Sequence, residues 1–265
     1  MKISLIGSGN VAWHMAQAFE DAGHHICEIY SRNILNSRLL VKSLFDSVAV
    51  NNLNFEKSEA QIFVLAINDD AISEVLDQLI LPKNAILVHT SGSKSIELFS
   101  DWSLDNAENG NTTGVFYPLM TFTKNKELSF GEVPICIEAY DDKTEQILVA
   151  LGQSISKTVY LVDSDERKIL HLSAVFVNNF VNHLVGISQD ILESNDLEFS
   201  LLKPIIKETI AKVLASENVH EMQTGPARRG DQKIIKSHII QLKNMPKAEK
   251  IYRVLSESIF DQFNH

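Results

Sequence analysis

With 265 residues, 45% of them hydrophobic and 22% charged, the chain is long enough for one large domain or two modest ones. Its net charge of −10 argues against nucleic-acid binding, which draws affinity from clustered Lys and Arg on phosphates. No segment approaches the roughly 20 apolar residues expected of a membrane span. The first residues run straight into a glycine turn and leave no space for a signal peptide, so a cytoplasmic location is expected.

From residue 1 to 162, short apolar runs alternate with helical patterns, the rhythm of βαβ units around a mostly parallel sheet. Residues 3–6 read as the first strand. Val11, Met15, Ala18, Phe19 and Ala22 then recur at helical spacing until Gly23 stops them. Residues 26–30 form a second strand, and Leu35, Leu39, Leu40 and Leu44 mark the next helix. Residues 62–67 read as a buried strand, Ile72, Val75, Leu76 and Leu79 as an amphipathic set, and residues 85–89 as the following strand. Residues 101–114 are polar and rich in Asn and Gly, and read as an exposed loop. Further strands are expected at 115–117, 133–138 and 158–162. Cys27 and Cys136 lie inside apolar runs and read as buried free thiols, with no disulfide and no metal.

Beyond Asp163 the period becomes helical, which places a boundary there and an all-helical domain over 163–265. Residues 165–194 predict one long helix, so apolar that much of its circumference must be covered by partners. Helices are also expected at 198–216, 230–243 and 246–263, the last opened by Pro246. Between Thr224 and Arg253 eight basic residues face only Asp231 and Glu249, a local balance of +6. That patch is either a solvated face or a surface turned to an anion or a subunit.

The sharpest motif is Gly7-Ser8-Gly9-Asn10-Val11-Ala12, between the first strand and first helix. Gly7 permits the tight turn, Gly9 lets a pyrophosphate approach the backbone, and small Ala12 lets helix and strand pack closely. In that context the motif implies a Rossmann domain binding a dinucleotide. The second strand ends in Tyr30-Ser31-Arg32; with no carboxylate to read a ribose 2′-OH and an arginine fork beside the Ser31 hydroxyl, the preferred cofactor is NADP(H). Ala66, Asn68 and Asp69 follow the strand where residues flanking the nicotinamide ribose are expected, although Asn68 and Asp69 also suit helix N-caps.

These residues, together with His89-Thr90-Ser91-Gly92, Tyr117-Pro118-Leu119, the stretch from His171 to Phe180, and Thr224-Gly225-Pro226-Ala227-Arg228-Arg229-Gly230-Asp231, resemble Rossmann-like proteins with a DUF2520 C-terminal domain. That family is similar in layout to pyrroline-5-carboxylate reductases and β-hydroxyacid dehydrogenases. The resemblance implies a helical domain that dimerises and a small-molecule site between the domains, but supplies no substrate. The Lys-x-x-x-Asn pair of β-hydroxyacid dehydrogenases is absent: His171 stands in the corresponding stretch, with Asn179 matching the DUF2520 pattern. An imidazole transfers protons near neutral pH, so His171 is a candidate acid.

On an ideal helix His171, Asn178 and Asn182 fall within about 20° of one line, with Asn179 about 80° away. These groups either face the site or bond to loops and a second subunit. Arg229 reads as an anion-facing residue beside Asp231 as a helix N-cap, or as half of an Arg–Asp pair. His171, Asn179, Ser91 and Arg229 are thus the expected catalytic set. The expected function is an NADP(H)-dependent oxidoreductase acting on a small carbonyl or imine compound, with an anionic substrate group or a cofactor phosphate as the partner of Arg229; the alternative is a non-catalytic NADP(H)-sensing protein.

Overall fold

A computed structural model describes residues 1–124 and 126–264, and the chain divides into two compact units, Met1–Asn179 and Phe180–His265. The first unit begins with β1 (Lys2–Ile6), α1 (Asn10–Asp21), β2 (His25–Tyr30), α2 (Ile34–Val41), β3 (Val48–Val50), β4 (Ile62–Leu65), α3 (Ile72–Leu76) and β5 (Ile86–His89). It continues through α4 (Ser100–Asn106), β6 (Thr112–Pro118), β7 (Ile135–Ala139), α5 (Asp142–Ile155) and β8 (Val159–Leu161). The strands form one sheet in the order β3-β2-β1-β4-β5-β6-β7-β8, parallel except where β6 meets β7. Its first six positions follow the doubly wound order that opens a ligand crevice at the carboxyl ends of β1 and β4.

Strand β4 shows why both faces of the sheet are covered. Ile62, Phe63, Val64 and Leu65 are all buried, and alternate side chains point to opposite faces. Ile62 and Val64 join Met15 and Phe19 of α1 and Leu148 of α5 in one apolar cluster. Phe63 and Leu65 join Ile72 and Val75 of α3 and Trp102 of α4 in another. A strand with no polar face cannot front water, and parallel crossovers supply helices to both sides.

Two stretches depart from the sequence expectation. Residues 101–114 are not an exposed loop: they hold most of α4, a 3-10 turn at Ala107–Asn109 and the start of β6. Trp102 is buried there beside Phe99, so two large apolar side chains dock a helix too short to display a period. Strand β3 is an edge strand of three residues paired with β2, too brief to register as alternation.

After β8 comes α6 (Ser164–Ala174), opened by a capping box in which Asp163 accepts from the Glu166 amide and Glu166 reaches back to the Asp163 amide. A π-helical segment, Val175–Phe180, follows. The second unit contains α7 (Val181–Glu193), α8 (Lys203–Ala215), α9 (Gln232–Gln241) and α10 (Pro246–Phe263), the last with Pro246 in its first turn as expected.

The long helical run, expected to need covering by partners, is not covered by the chain itself: no residue from Lys168 to Pro226 is buried. The expectation that no segment has the make-up of a membrane span is corrected. By length and composition alone, the run Ser164–Glu193 qualifies, because it contains an 18-residue window with a mean hydropathy of 1.2, although His171, Asn178, Asn179 and Asn182 lie within the run.

Candidate cofactor and active site

The turn between β1 and α1 is built to admit an anion. Gly7 has φ +127°, and a Cβ there would fall on the Ala66 carbonyl, so no other residue fits without moving β4. At Gly9 a Cβ would meet open space. No side chain caps the start of α1, and its first turn carries no acidic residue, which leaves its N–H groups and positive dipole end for a ligand. Ala12 is fully buried, Val11 packs on the same apolar cluster, and Asn10 donates to the Phe122 carbonyl at 3.0 Å.

A cavity of about 510 Å³ runs from this turn to the tip of β2 and is lined by Gly7, Ser8, Gly9, Ser31, Arg32, Ala66 and Asn68. Asn33 and Asn36 of the α2 start also line it. The Ser31 amide is held by the Val50 carbonyl at 3.2 Å, so β3 fixes the loop that carries exposed Arg32. The glycine turn, uncapped helix and arginine tip together fit a phosphorylated dinucleotide.

Asp69 does not line that cavity wall. Its carboxylate accepts from Ser91 Oγ and Ser93 Oγ, each at 2.7 Å, tying the loop after β4 to the loop after β5. Asn68 precedes the 3-10 turn Asp69–Ala71 without a side-chain cap. Ser91 is buried, and its oxygen also accepts from the Ser93 and Lys94 amides at 3.2 and 3.1 Å. Its hydroxyl thus ties the turn after β5 to Asp69.

His171 is brought to the carboxyl end of β6 by an anchor one helical turn earlier. Arg167 is fully buried; it pairs with Glu138 of β7 and donates to the Lys94 carbonyl at 2.6 Å. Ser164 donates to Glu138 at 2.9 Å and accepts from the Ile96 amide at 3.0 Å. A buried charge persists when paired and hydrogen-bonded in this way, and residues four apart share a helix face. On that face His171 Nδ1 lies 3.0 Å from Tyr117 Oη. Burial pushes the Tyr117 phenol up to about 12.

His89 is a different histidine. It is fully buried at the end of β5, and its Nδ1 accepts from the Ser91 amide at 3.1 Å. Burial, reinforced by nearby Arg167, pushes its imidazole down to about 3, so it is a neutral packing group that shapes the same turn.

Asn178 and Asn179 are exposed in the π segment, where Asn178 Nδ2 donates to Asn179 Oδ1 at 3.3 Å. That segment corrects the helical-wheel alignment of His171, Asn178 and Asn182, because i→i+5 turns advance the chain by a smaller angle per residue than an α-helix. In the second unit, Asp231 accepts from the Ile234 amide at 3.2 Å and caps α9. Arg229 is exposed, while Arg228 turns back over the Phe263 ring at 4.9 Å. Tyr117, Arg167 and Glu138 escaped sequence reasoning as site residues; the pointer to Tyr117 was its position at the end of a strand on the ligand-bearing edge.

The sheet order and glycine turn define a Rossmann-like α/β protein. Residues 1–105 match the Rossmann-like domain and residues 133–259 match a domain of unknown function, DUF2520; the chain belongs to the family of Rossmann-like proteins with a DUF2520 C-terminal domain. It is similar to a candidate NADP oxidoreductase from Bacteroides fragilis, with 33% identity over 98% of both chains and a TM-score of 0.88. A protein from Thermotoga maritima shares 20% identity over 98% of this chain and 97% of its own, with a TM-score of 0.69. An imine reductase from Myxococcus stipitatus in complex with NADP+ shares the fold at 15% identity, over 98% of this chain and 92% of its own, with a TM-score of 0.63. No curated protein matches the chain.

Proposed function

We propose that the protein is an NADP(H)-dependent oxidoreductase acting on a small carbonyl or imine compound. The observation that carries this reading is the convergence, along one edge of one sheet, of the anion-ready turn at Gly7–Gly9, the Arg32 tip and the His171–Tyr117 pair. The NADP oxidoreductase and imine reductase relatives support it. Bound in the cavity, NADPH would supply a hydride; Arg32 and Ser31 would hold its 2′-phosphate, and the α1 N-terminus its pyrophosphate. His171 delivers a proton to the carbonyl oxygen or imine nitrogen, and Asp69, Ser91 and Ser93 keep the β4 and β5 loops closed together behind it. Asn179 is an exposed amide suited to orienting the substrate.

A second copy of the chain is the proposed cover for the helical run that buries none of its own residues between Lys168 and Pro226. Isolated helices gain most of their stability from packing an apolar face, and here Leu172 in the first unit and Leu201 and Ile205 in the second are each more than half exposed.

The test is NADPH oxidation, followed by nicotinamide absorbance, against a panel of ketones and cyclic imines. Turnover is expected, and His171→Ala should lower it about 100-fold or more, the usual contribution of a positioned acid. Tight NADP(H) binding with no turnover anywhere on the panel would favour the sensing protein instead.

A further inference from the structure

We propose that Tyr117 is the positioning residue for proton transfer at His171: its hydroxyl occupies Nδ1, which leaves Nε2 as the nitrogen that exchanges a proton with the substrate. The proposal rests on the reading of His171 as the acid.

Geometry carries it first. Tyr117 Oη and His171 Nδ1 are 3.0 Å apart, and the rings meet edge to face, with centroids 6.0 Å apart and planes at 72°. The contact is a directed hydrogen bond between one oxygen and one nitrogen.

Neither partner is free to drift. Tyr117 is buried on β6, paired with Cys136 of β7, and Arg167 pins the helix that carries His171. The β5 loop closes the pair from a third side. A Cβ on Gly92 would lie 2.6 Å from His171 Nδ1 and 2.7 Å from Tyr117 Cζ, so glycine alone leaves room for the two rings to meet.

The chemistry of a phenol completes the case. A tyrosine hydroxyl both donates and accepts, and the raised Tyr117 value keeps it protonated at neutral pH. It therefore donates to Nδ1 of the neutral imidazole, which puts the ring proton on Nε2. When the ring is an imidazolium, Nδ1–H donates to the phenol oxygen instead. In the reductive step a C–H bond forms from the incoming hydride, and the Nε2 proton passes to the substrate oxygen or nitrogen. The acid in this step is the imidazolium, so the Nδ1 proton stays on the ring, donated to Tyr117 Oη, and Nε2 then regains a proton from water. A phenylalanine would satisfy neither state of the ring.

Histidine-selective 15N NMR of the whole protein reads the tautomer directly, with the His171 resonances assigned by their loss in His171→Asn. Neutral His171 is expected in the Nε2–H form in the native protein and as a mixture of tautomers in Tyr117→Phe. A native Nδ1–H form, or an unchanged Nε2–H form in the variant, overturns the proposal. If Tyr117→Phe does not fold, the native spectrum still decides. This readout needs no turnover, so it fails independently of the oxidoreductase reading, which falls if the ketone and imine panel leaves NADPH unoxidised. With 2-methyl-1-pyrroline as the probe, Tyr117→Phe should lower kcat about tenfold or more and leave the KM for NADPH unchanged, with 3-fluorotyrosine at position 117 restoring the rate. A loss confined to KM also overturns it.

Discussion

At the residue scale, Arg32 and His89 are two basic side chains with opposite tasks, one charged and exposed, the other neutral and buried. Arg32 is exposed at the rim of the cofactor cavity, where a guanidinium meeting a phosphate contributes about 1.5 to 3 kcal/mol. Calorimetry should therefore show NADP(H) binding at least tenfold more tightly than NAD(H), and Arg32→Ala should erase the difference. Equal affinities in the native protein would remove Arg32 from the site. His89 must stay neutral: its folded value near 3 lies below the ordinary imidazole value, so between about pH 6.5 and 3 the unfolded chain takes up a proton that the folded one refuses. Stability from this source is full above pH 6.5 and is lost as pH falls. Thermal melts from pH 7.5 to 4.5 should show a smaller decline for His89→Gln than for the native protein, and parallel declines would assign the acid lability elsewhere.

At the element scale, what was legible in the sequence follows from length and local chemistry. The glycine turn announced itself because Gly7 and Ala12 answer to steric demands of a single short segment. The capping box at Asp163 and the first-turn Pro246 equally mark their helices from within. Tyr117 entered only as part of a family-like motif and Glu138 had no assigned role, because their contacts depend on α6 returning to the ends of β6 and β7, across 54 and 29 positions of chain. The π segment was hidden too, since a wheel drawn at constant rotation presumes the geometry it tests. Helix α4 fell between these cases: its polar composition masked one anchor, Trp102, buried against Phe99 and the sheet. Trp102→Ala should cost about 3 to 5 kcal/mol by chemical denaturation, as for other large buried aromatics. A loss under about 1 kcal/mol, the range of surface changes, would return the segment to the status of a loop.

At the scale of the whole molecule, the uncovered helical face is the feature that most needs a partner. If a second copy provides it, light scattering at micromolar concentration should give about twice 29.7 kDa. Leu172→Asp with Leu201→Asp, placing a charge at one exposed apolar position of each unit, should shift the mass to the monomer. A native monomer that stays in solution contradicts the proposal, and co-sedimentation of the native protein with phosphatidylcholine vesicles would point to a bilayer instead.

The strand order also sets a timetable for the nascent chain. Ile3 pairs with Ile62, so β1, buried on both faces in the finished sheet, gains only β2 as a neighbour while the next thirty-odd residues leave the ribosome. At about 5 to 20 residues per second, one edge of β1 stays open for seconds, a template on which another unfinished copy could pair. The glycine turn directly follows this strand and packs against the Ala66 carbonyl, so its shape too waits on the arrival of β4.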